Sequence, residues 1–423
     1  MNGMRSDDAQ SGGRKASVPR PGRAPYSPWR FVVAMGFVSM LADVVYEGSR
    51  AITGPFLESL GVSAVAVGAI TGVGEAIGFA GRLGSGPLAD KTRAYWPLLI
   101  VGYALTVVAV PFLGVTSVVW IVATLIFIER AGKAVRRPAK DVILSHATSG
   151  IGRGRGFAVH EALDQFGAVL GPLAVAGAFH LTHNYAPTFA MLALPGAIVM
   201  VLLLRLRKRV PDPSAYEEAL AAELAISPPS AGRRAAAHPP LGRPYWWYLS
   251  FATVTTIGYS TFGVLGYHLV HEGLASTATV PVIYAGAMIV DALAALAVGA
   301  LFDRVGRRVL LVVPMLAAAI PPLAFARSLP LAIAGMLVWG AVMGIQESVL
   351  RAAVADLIPS ARRGTAYGIF AAAIGAAALV GGILTGGLYE THLPLLVAVI
   401  AGIQVAALVL YVAWSRGLRS EVP

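Results

Sequence analysis

The chain of 423 residues contains no cysteine, which excludes disulfides, thiolate metal sites and cysteine nucleophiles together. Charge is scarce as well. Asp, Glu, Lys and Arg make up 13% of the residues, where a soluble protein carries roughly 25%. No Gly-x-x-x-x-Gly-Lys-Ser/Thr loop is present, which argues against ATP as the direct energy source. No spacing of Ser, His and Asp suggests a nucleophile beside its base, so an enzyme is not expected. What is abundant is apolar sequence, 57% of the chain, and most of it must face lipid or a bundle interior.

Bases outnumber acids 33 to 22, for a net charge of +11. An excess of this size raises the question of nucleic acid, but its placement follows membrane topology instead. Residues 1–28 are polar, basic and rich in Pro and Gly, and read as a disordered tail. They lack the apolar core and cleavage site of a secretory signal, so the first apolar run is expected to remain as a span.

Crossing a bilayer takes roughly 20 residues of helix. Twelve such runs lie near 30–58, 64–88, 95–114, 117–137, 156–180, 187–205, 245–270, 279–302, 309–326, 330–351, 364–388 and 393–415. The expected fold class is all-α, with two six-helix bundles at 29–205 and 245–415, a linker at 206–244 and a short tail at 416–423. Within the linker, Tyr216 to Ile226 reads as a short surface helix with Leu220 and Leu224 on one face.

Lys91, Arg93, Arg136, Arg137, Lys140, Arg205, Arg207, Lys208, Arg209, Arg304, Arg307 and Arg308 fall in alternate loops. The opposite loops hold mainly Glu58, His183, His271, Glu272, Arg327, Glu390 and His392. The positive-inside rule then puts both termini in the cytoplasm.

The two halves also repeat a loop. Gly299, Asp303, Arg304, Gly306, Arg307 and Arg308 form a Gly-x-x-x-Asp-Arg-x-Gly-Arg-Arg signature. Gly86, Asp90, Lys91 and Arg93 form a degenerate twin that lacks the second Gly. Arg351 and Asp356 repeat the offset of Arg136 and Asp141. Internal duplication around a central site is a common build for secondary transporters.

Twelve spans in two sixes, a central linker and these paired loops resemble the major facilitator superfamily. The resemblance implies alternating access, with the first, fourth, seventh and tenth helices lining the cavity. It implies a cytoplasmic gate in which Asp90 and Asp303 act as latch acids, with Arg93, Arg304, Arg307, Arg308, Arg136 and Asp141 around them. A narrower resemblance through Gly132, Lys133, Arg136, Pro138 and Asp141, then Gly154, Arg155, Phe157, His160 and Asp164, is to a branch of bacterial permeases of this superfamily. It places the chain in a bacterial inner membrane. Gly167, Gly171 and Pro172 are similar to the fifth-helix motif of drug–proton antiporters, which implies export; plain helix packing through small residues explains them equally well.

Charge at mid-bilayer costs about 2.5–3.5 kcal/mol on insertion scales, so such residues must face a cavity or one another. Asp43, Glu47 and Arg50 fall at i, i+4 and i+7 on one helical face. Arg50 neutralises one carboxylate; the other must take a proton or hold a cation. Asp43, Glu47, Glu75, His160 and Asp164 are therefore the candidate proton-coupling groups. Arg50, Arg82, Glu129, Arg130 and Lys133 are the candidate charge partners.

Asp291 stands mid-span with no local partner, and Glu347 and Arg351 form an i, i+4 pair. Tyr259, Tyr267, Tyr284, Trp339 and Gln346 could, with Asp291, wall a substrate pocket, although aromatics on apolar helices more often face lipid or core.

The leading expectation is proton-driven export of a small organic molecule by a monomer in the bilayer, with no cofactor and no resident metal. Uptake by proton symport remains open, as does divalent-metal export through Asp43, Glu47 and Glu75. A transporter-like sensor or assembly factor without flux is the alternative from another class.

Overall fold

A computed structural model describes residues 26–149, 151–217, 220, 241–259, 261–350, 353–354, 357–358 and 363–420. The chain is a run of helices, without a strand among the described residues. Helix α1, Pro28–Ser59, opens where the Ser27 hydroxyl accepts from the Arg30 amide and Pro28 fixes the first turn. Ser63 caps α2, Ala64–Ala80, in the same way. Next come α3, Arg82–Thr92; α4, Tyr95–Phe112; α5, Val119–Ala147; and α6, Arg153–Thr182. The first half closes with α7, Tyr185–Ala190, and α8, Ala193–Arg209.

The second half holds α9, Arg243–Ile257; α10, Phe262–His271; α11, Thr279–Val305; and α12, Val312–Ala324. It ends with α13, Leu329–Ile345; α14, Arg363–Thr391; and α15, Leu393–Ser420. A π-turn at Gln346–Leu350 continues α13.

Ten helical stretches among the described residues are long and apolar enough to cross a membrane. The two other expected spans differ for physical reasons. The fourth, α5, is long enough but carries charge along its second half, from Glu129 to Asp141, and runs ten residues beyond the expected end at 137. The seventh is broken after Gly258, where α9 stops and α10 restarts at Phe262. In place of a Gly258 side chain stands the Gln404 amide, which a Cβ would meet at 1.8 Å. Gln404 in turn accepts from the Thr255 hydroxyl at 2.7 Å and donates to the Thr255 carbonyl at 3.0 Å, so α15 satisfies the backbone that the break releases.

Tyr216, expected on a surface helix, is buried against Phe31 with ring centroids 5.6 Å apart, and its hydroxyl donates to the Tyr26 carbonyl at 3.1 Å. Burial pushes its hydroxyl pKa up to about 12. Leu224, Ile226, Arg351 and Asp356 lie outside the described residues.

The halves meet along three seams: α2 on α14, α1 on α10, and α6 on α11. Two of these seams are backbone-close. A Cβ on Gly68 would stand 2.1 Å from the Gly382 carbonyl oxygen, and one on Gly54 would stand 2.2 Å from that of Gly263. Small residues admit this approach where lipid offers helices no hydrophobic drive to associate. The α1–α10 seam closes the end expected to face outward, where the Ala64 amide also donates to the Glu390 carboxylate. At the opposite end a cleft of about 1970 Å³ opens between α3, α5 and the start of α14.

Candidate functional site

The charged residues of α1, α2 and α5 converge inside the first half. The α1 stripe aims Asp43, Glu47 and Arg50 inward, and α5 presents Glu129, Arg130, Lys133, Arg136 and Lys140 to it. Arg50 Nη2 lies 3.1 Å from Glu75 Oε1, and Arg130 Nη1 lies 3.3 Å from the same oxygen. Arg130 also approaches Glu129 at 3.2 Å, and Arg50 approaches Glu47 at 3.7 Å. Lys133 stands 3.9 Å from Glu47, and Arg136 stands 4.0 Å from Asp43. Lys140 reaches Asp164 at 3.4 Å. In a medium poor in water each of these pairs is tolerated because the partner charge replaces hydration.

Two residues absent from the sequence-level candidates complete this network. Tyr46, 2% exposed, offers its ring to Lys133 at 3.5 Å and to Arg130 at 4.6 Å. Three residues after Asp43 and four before Arg50, it falls on the flank of the same helical face, a signal that was readable. Lys140, read as a loop charge, is half-buried against α6.

Arg136 requires a correction. Expected at the cytoplasmic gate, it is 5% exposed inside the first half. Its guanidinium donates to the Thr106 hydroxyl at 2.7 Å and lies 4.6 Å from the Tyr103 ring. The reason is the extra length of α5, which carries the residue inward to an acid on α1. Arg82, seven residues after Glu75, lies beyond the α2–α3 bend at Gly81, with its guanidinium 4.9 Å from the Phe79 ring.

His160 is buried and shares a hydrogen bond of 3.0 Å with Ser39, which also lies 3.2 Å from the Tyr103 hydroxyl. His160, Glu161 and Asp164 each offer a ligand atom, and these atoms lie within 4.8 Å of one another. The ammonium of Lys140, 3.4 Å from Asp164, already supplies that corner with positive charge, so the trio is a poor match for a cation. Gly167 and Gly171 hold α6 against α1, where added Cβ atoms would stand 2.2 Å from the Met40 carbonyl oxygen and 2.5 Å from that of Val44. Pro172 follows within the same helix.

The second half supplies hydroxyls, an amide and aromatic rings. The Tyr284 hydroxyl donates to Glu47 Oε2 at 2.5 Å across the interface between halves. Asp291, which has no partner on its own helix, accepts from the Gln165 amide at 3.4 Å, again from the other half. Tyr259 donates to the Gln346 carbonyl oxygen, and the Gln346 amide donates to Thr256 at 3.2 Å. Trp339 and Tyr284 pack on Phe262, with centroids 5.4 and 4.4 Å away. Tyr267 does not join them: it stacks on His271 at 5.0 Å and lines a separate pocket at the other end of α10.

Around these groups lie two connected chambers. One, with a cavity volume of about 70 Å³, is bounded by Arg50, Glu75, Arg130, Tyr259, Trp339 and Gln346 among others. The second, of about 60 Å³, is bounded by Asp43, Glu47, Asp164, Gln165 and Asp291. Glu347, Lys133 and Arg137 belong to both.

The remaining gate residues are spread out. Asp90 is exposed and shares the open cleft with Lys91, Arg137 and Asp141. Arg93 lines a different surface pocket with Trp96 and Arg207, and no ion pair joins it to Asp90 among the described residues. The Arg307 carbonyl accepts from the Tyr411 hydroxyl at 3.0 Å, and its guanidinium lies 5.7 Å from the Trp414 ring, which ties it to α15. Arg304 and Arg308 are exposed, and the side chain of Asp303 lies outside the described set.

A family model described as Major Facilitator Superfamily matches residues 33–290 and 270–422. An uncharacterized protein of Mycobacterium tuberculosis is 50% identical over 392 residues, 92% of this chain and 94% of its own length. An uncharacterized MFS-type transporter of Methanocaldococcus jannaschii is 26% identical over 185 residues, 43% of this chain and 46% of its own length. Among solved structures, a variant of the nucleoside transporter NupG superimposes with a TM-score of 0.71 at 16% identity, over 91% of this chain and 99% of that one. The peptide transporter POT in complex with sulfate gives 0.69 at 16% identity, over 92% and 94%. At such identities the structural likeness speaks for the fold alone.

Proposed function

Because the chain belongs to the major facilitator superfamily and is a multi-pass membrane transporter, we propose that it couples inward proton movement to export of a small organic molecule by alternating access. The observation that carries this reading is the Glu47 carboxylate. From its own half it takes Arg50 and Lys133; from the opposite half it takes the Tyr284 hydroxyl at 2.5 Å. A hydrogen bond to an ionised acceptor is roughly twice as strong as a neutral one. Protonating Glu47 weakens that bond and releases the two cations, so the proton acts directly on a link between the moving halves. Asp43, beside it in the second chamber, is the neighbouring acid through which the proton arrives. The α1–α6 seam at Gly167 and Gly171, similar to the antiporter motif, supports the outward direction.

The divalent-metal alternative is weaker on this geometry. Asp43, Glu47 and Glu75 each have a basic side chain within 4.0 Å, which leaves little negative charge for a hard cation.

In proteoliposomes with an imposed pH gradient, movement of a library of small organic compounds is followed by mass spectrometry. Asp43→Asn and Glu47→Gln are expected to abolish gradient-driven flux while retaining exchange of substrate for substrate. Undiminished gradient-driven flux in both variants overturns the coupling.

A further inference from the structure

The two chambers carry opposite charge. Among the described residues, Arg50, Arg82, Arg130, Lys133 and Arg137 line the larger one, against Glu75 and Glu347 as its carboxylates. Glu75 is already held between Arg50 and Arg130. In the smaller chamber the balance reverses. Asp43, Glu47, Glu161, Asp164, Asp291 and Glu347 face four cations, and one oxygen of Asp164 and one of Asp291 are buried without a hydrogen-bond partner. The two signs are thus unevenly shared between the chambers, although Arg50 and Lys133 of the larger pair with Glu47 of the smaller.

Arg137 stands where these spaces meet. It lines the cationic chamber, the acidic chamber and the open cleft; Glu347, Asp141, Glu161 and Asp164 are the acids around it, and no ion pair within 4.0 Å joins it to them among the described residues. Its guanidinium is a planar fork suited to a carboxylate. The cationic chamber also has flat apolar walls from Phe79, Tyr259, Trp339 and Phe370. Excess positive charge in a space poor in water is relieved by an anion, and aromatic walls add area for an apolar body.

Resting on the transport reading above, we propose that the substrate class is an organic carboxylate with a flat apolar body. Its carboxylate docks on Arg137 at the mouth of the cationic chamber, while protons occupy the acidic one. An anion leaving and protons entering both move charge along an inside-negative potential. The two fluxes reinforce each other, so a division of charge between chambers suits export.

The test measures thermal stabilisation of the purified chain by naphthoate, naphthamide and naphthylmethylammonium, which share a body and differ in charge. Naphthoate is expected to bind about tenfold more tightly than the amide, and the ammonium compound not to bind. In Arg137→Gln the preference for naphthoate falls to about onefold, and in Arg137→Lys part of it returns. Naphthoate binding no better than naphthamide, or the ammonium compound binding best, overturns the assignment.

Vesicles loaded with a pH-sensitive dye separate this from the coupling. Proton movement driven by naphthoate supports both proposals. Naphthoate that binds without moving protons supports the site and overturns the coupling. Proton movement driven by the ammonium compound overturns the site and leaves the coupling intact.

Discussion

Replacing Glu75 with Gln tests whether the charge network holds the first half together. Its carboxylate oxygen lies 3.1 Å from Arg50 and 3.3 Å from Arg130, whose side chains are 13% and 7% exposed. Gln keeps the shape and removes the charge, stranding two guanidiniums away from water. Removing one partner of a buried ion pair costs about 3–5 kcal/mol. Two residual contacts, Arg130 to Glu129 at 3.2 Å and Arg50 to Glu47 at 3.7 Å, take up part of that charge, so a loss near the low end, about 3 kcal/mol, is expected. The assay is reversible denaturant unfolding in detergent, followed by circular dichroism. Arg50→Gln alone and the double variant complete a cycle that isolates the pairwise term. The double variant is expected to be more stable than the sum of the two single losses implies. A Glu75→Gln loss below about 0.5 kcal/mol, or additive single losses, refutes the argument, because a network that absorbs a missing charge freely is not structural.

Other substitutions probe the remaining elements. Tyr284→Phe removes a bond to an ionised acceptor and is expected to destabilise the described conformation by about 1.5–3 kcal/mol, read in the same unfolding assay. Gly167→Val drives a side chain into the Met40 backbone and is expected to cost about 1–3 kcal/mol in the same unfolding assay, while Gly177→Val, where a Cβ meets nothing within 4 Å, is expected to be silent. Arg93 has φ of 51° at the end of α3, a left-handed position that disfavours any Cβ, so Arg93→Gly is expected to stabilise the chain by about 1 kcal/mol; no gain in the unfolding midpoint would contradict this.

Much of the fold was legible because lipid leaves the backbone so few solutions. Runs such as 95–114 and 393–415 are nearly uninterrupted, and helices stand there. The paired loops were equally open to reading, and Arg93 shows how deep the duplication goes. In alignment with the second copy it takes the place of Gly306; both residues adopt positive φ, 51° and 65°, but ψ is 18° in one and −148° in the other, so the sign of φ is shared and the turn is not.

What was not legible depends on contacts between distant residues. Arg136 and Lys140 have the composition of a loop, and only the placement of Asp43 and Asp164 on neighbouring helices turns them into interior residues. The break after Gly258 was masked by apolar sequence on both sides, since the polar group that makes it tolerable, Gln404, comes from α15. Asp291 looked solitary for the same reason: Gln165 reaches it from 126 residues away.

The contacts between halves have a common character that bears on motion. Along α2 and α14 they are backbone approaches at Gly68 and Gly382, where helices slide without disentangling long side chains. The polar links described across the interface include Tyr284 to Glu47, Gln165 to Asp291, Thr71 to Thr261 at 2.7 Å, His271 to Glu58 at 3.6 Å, and Glu390 to the Ala64 amide. At about 1–3 kcal/mol net each, the higher figure for those ending on a carboxylate, they form a modest set of links of the kind a bistable protein exchanges between conformations. The dense ion pairs, by contrast, lie within the first half, among α1, α2, α5 and α6. Strong interactions therefore keep one lobe rigid while weak ones join it to the other. Two of these links end on Glu47 and Asp291, both of which line the acidic chamber. Changing the charge of that chamber would therefore act where the lobes are joined most lightly, which is what the proposed proton coupling requires.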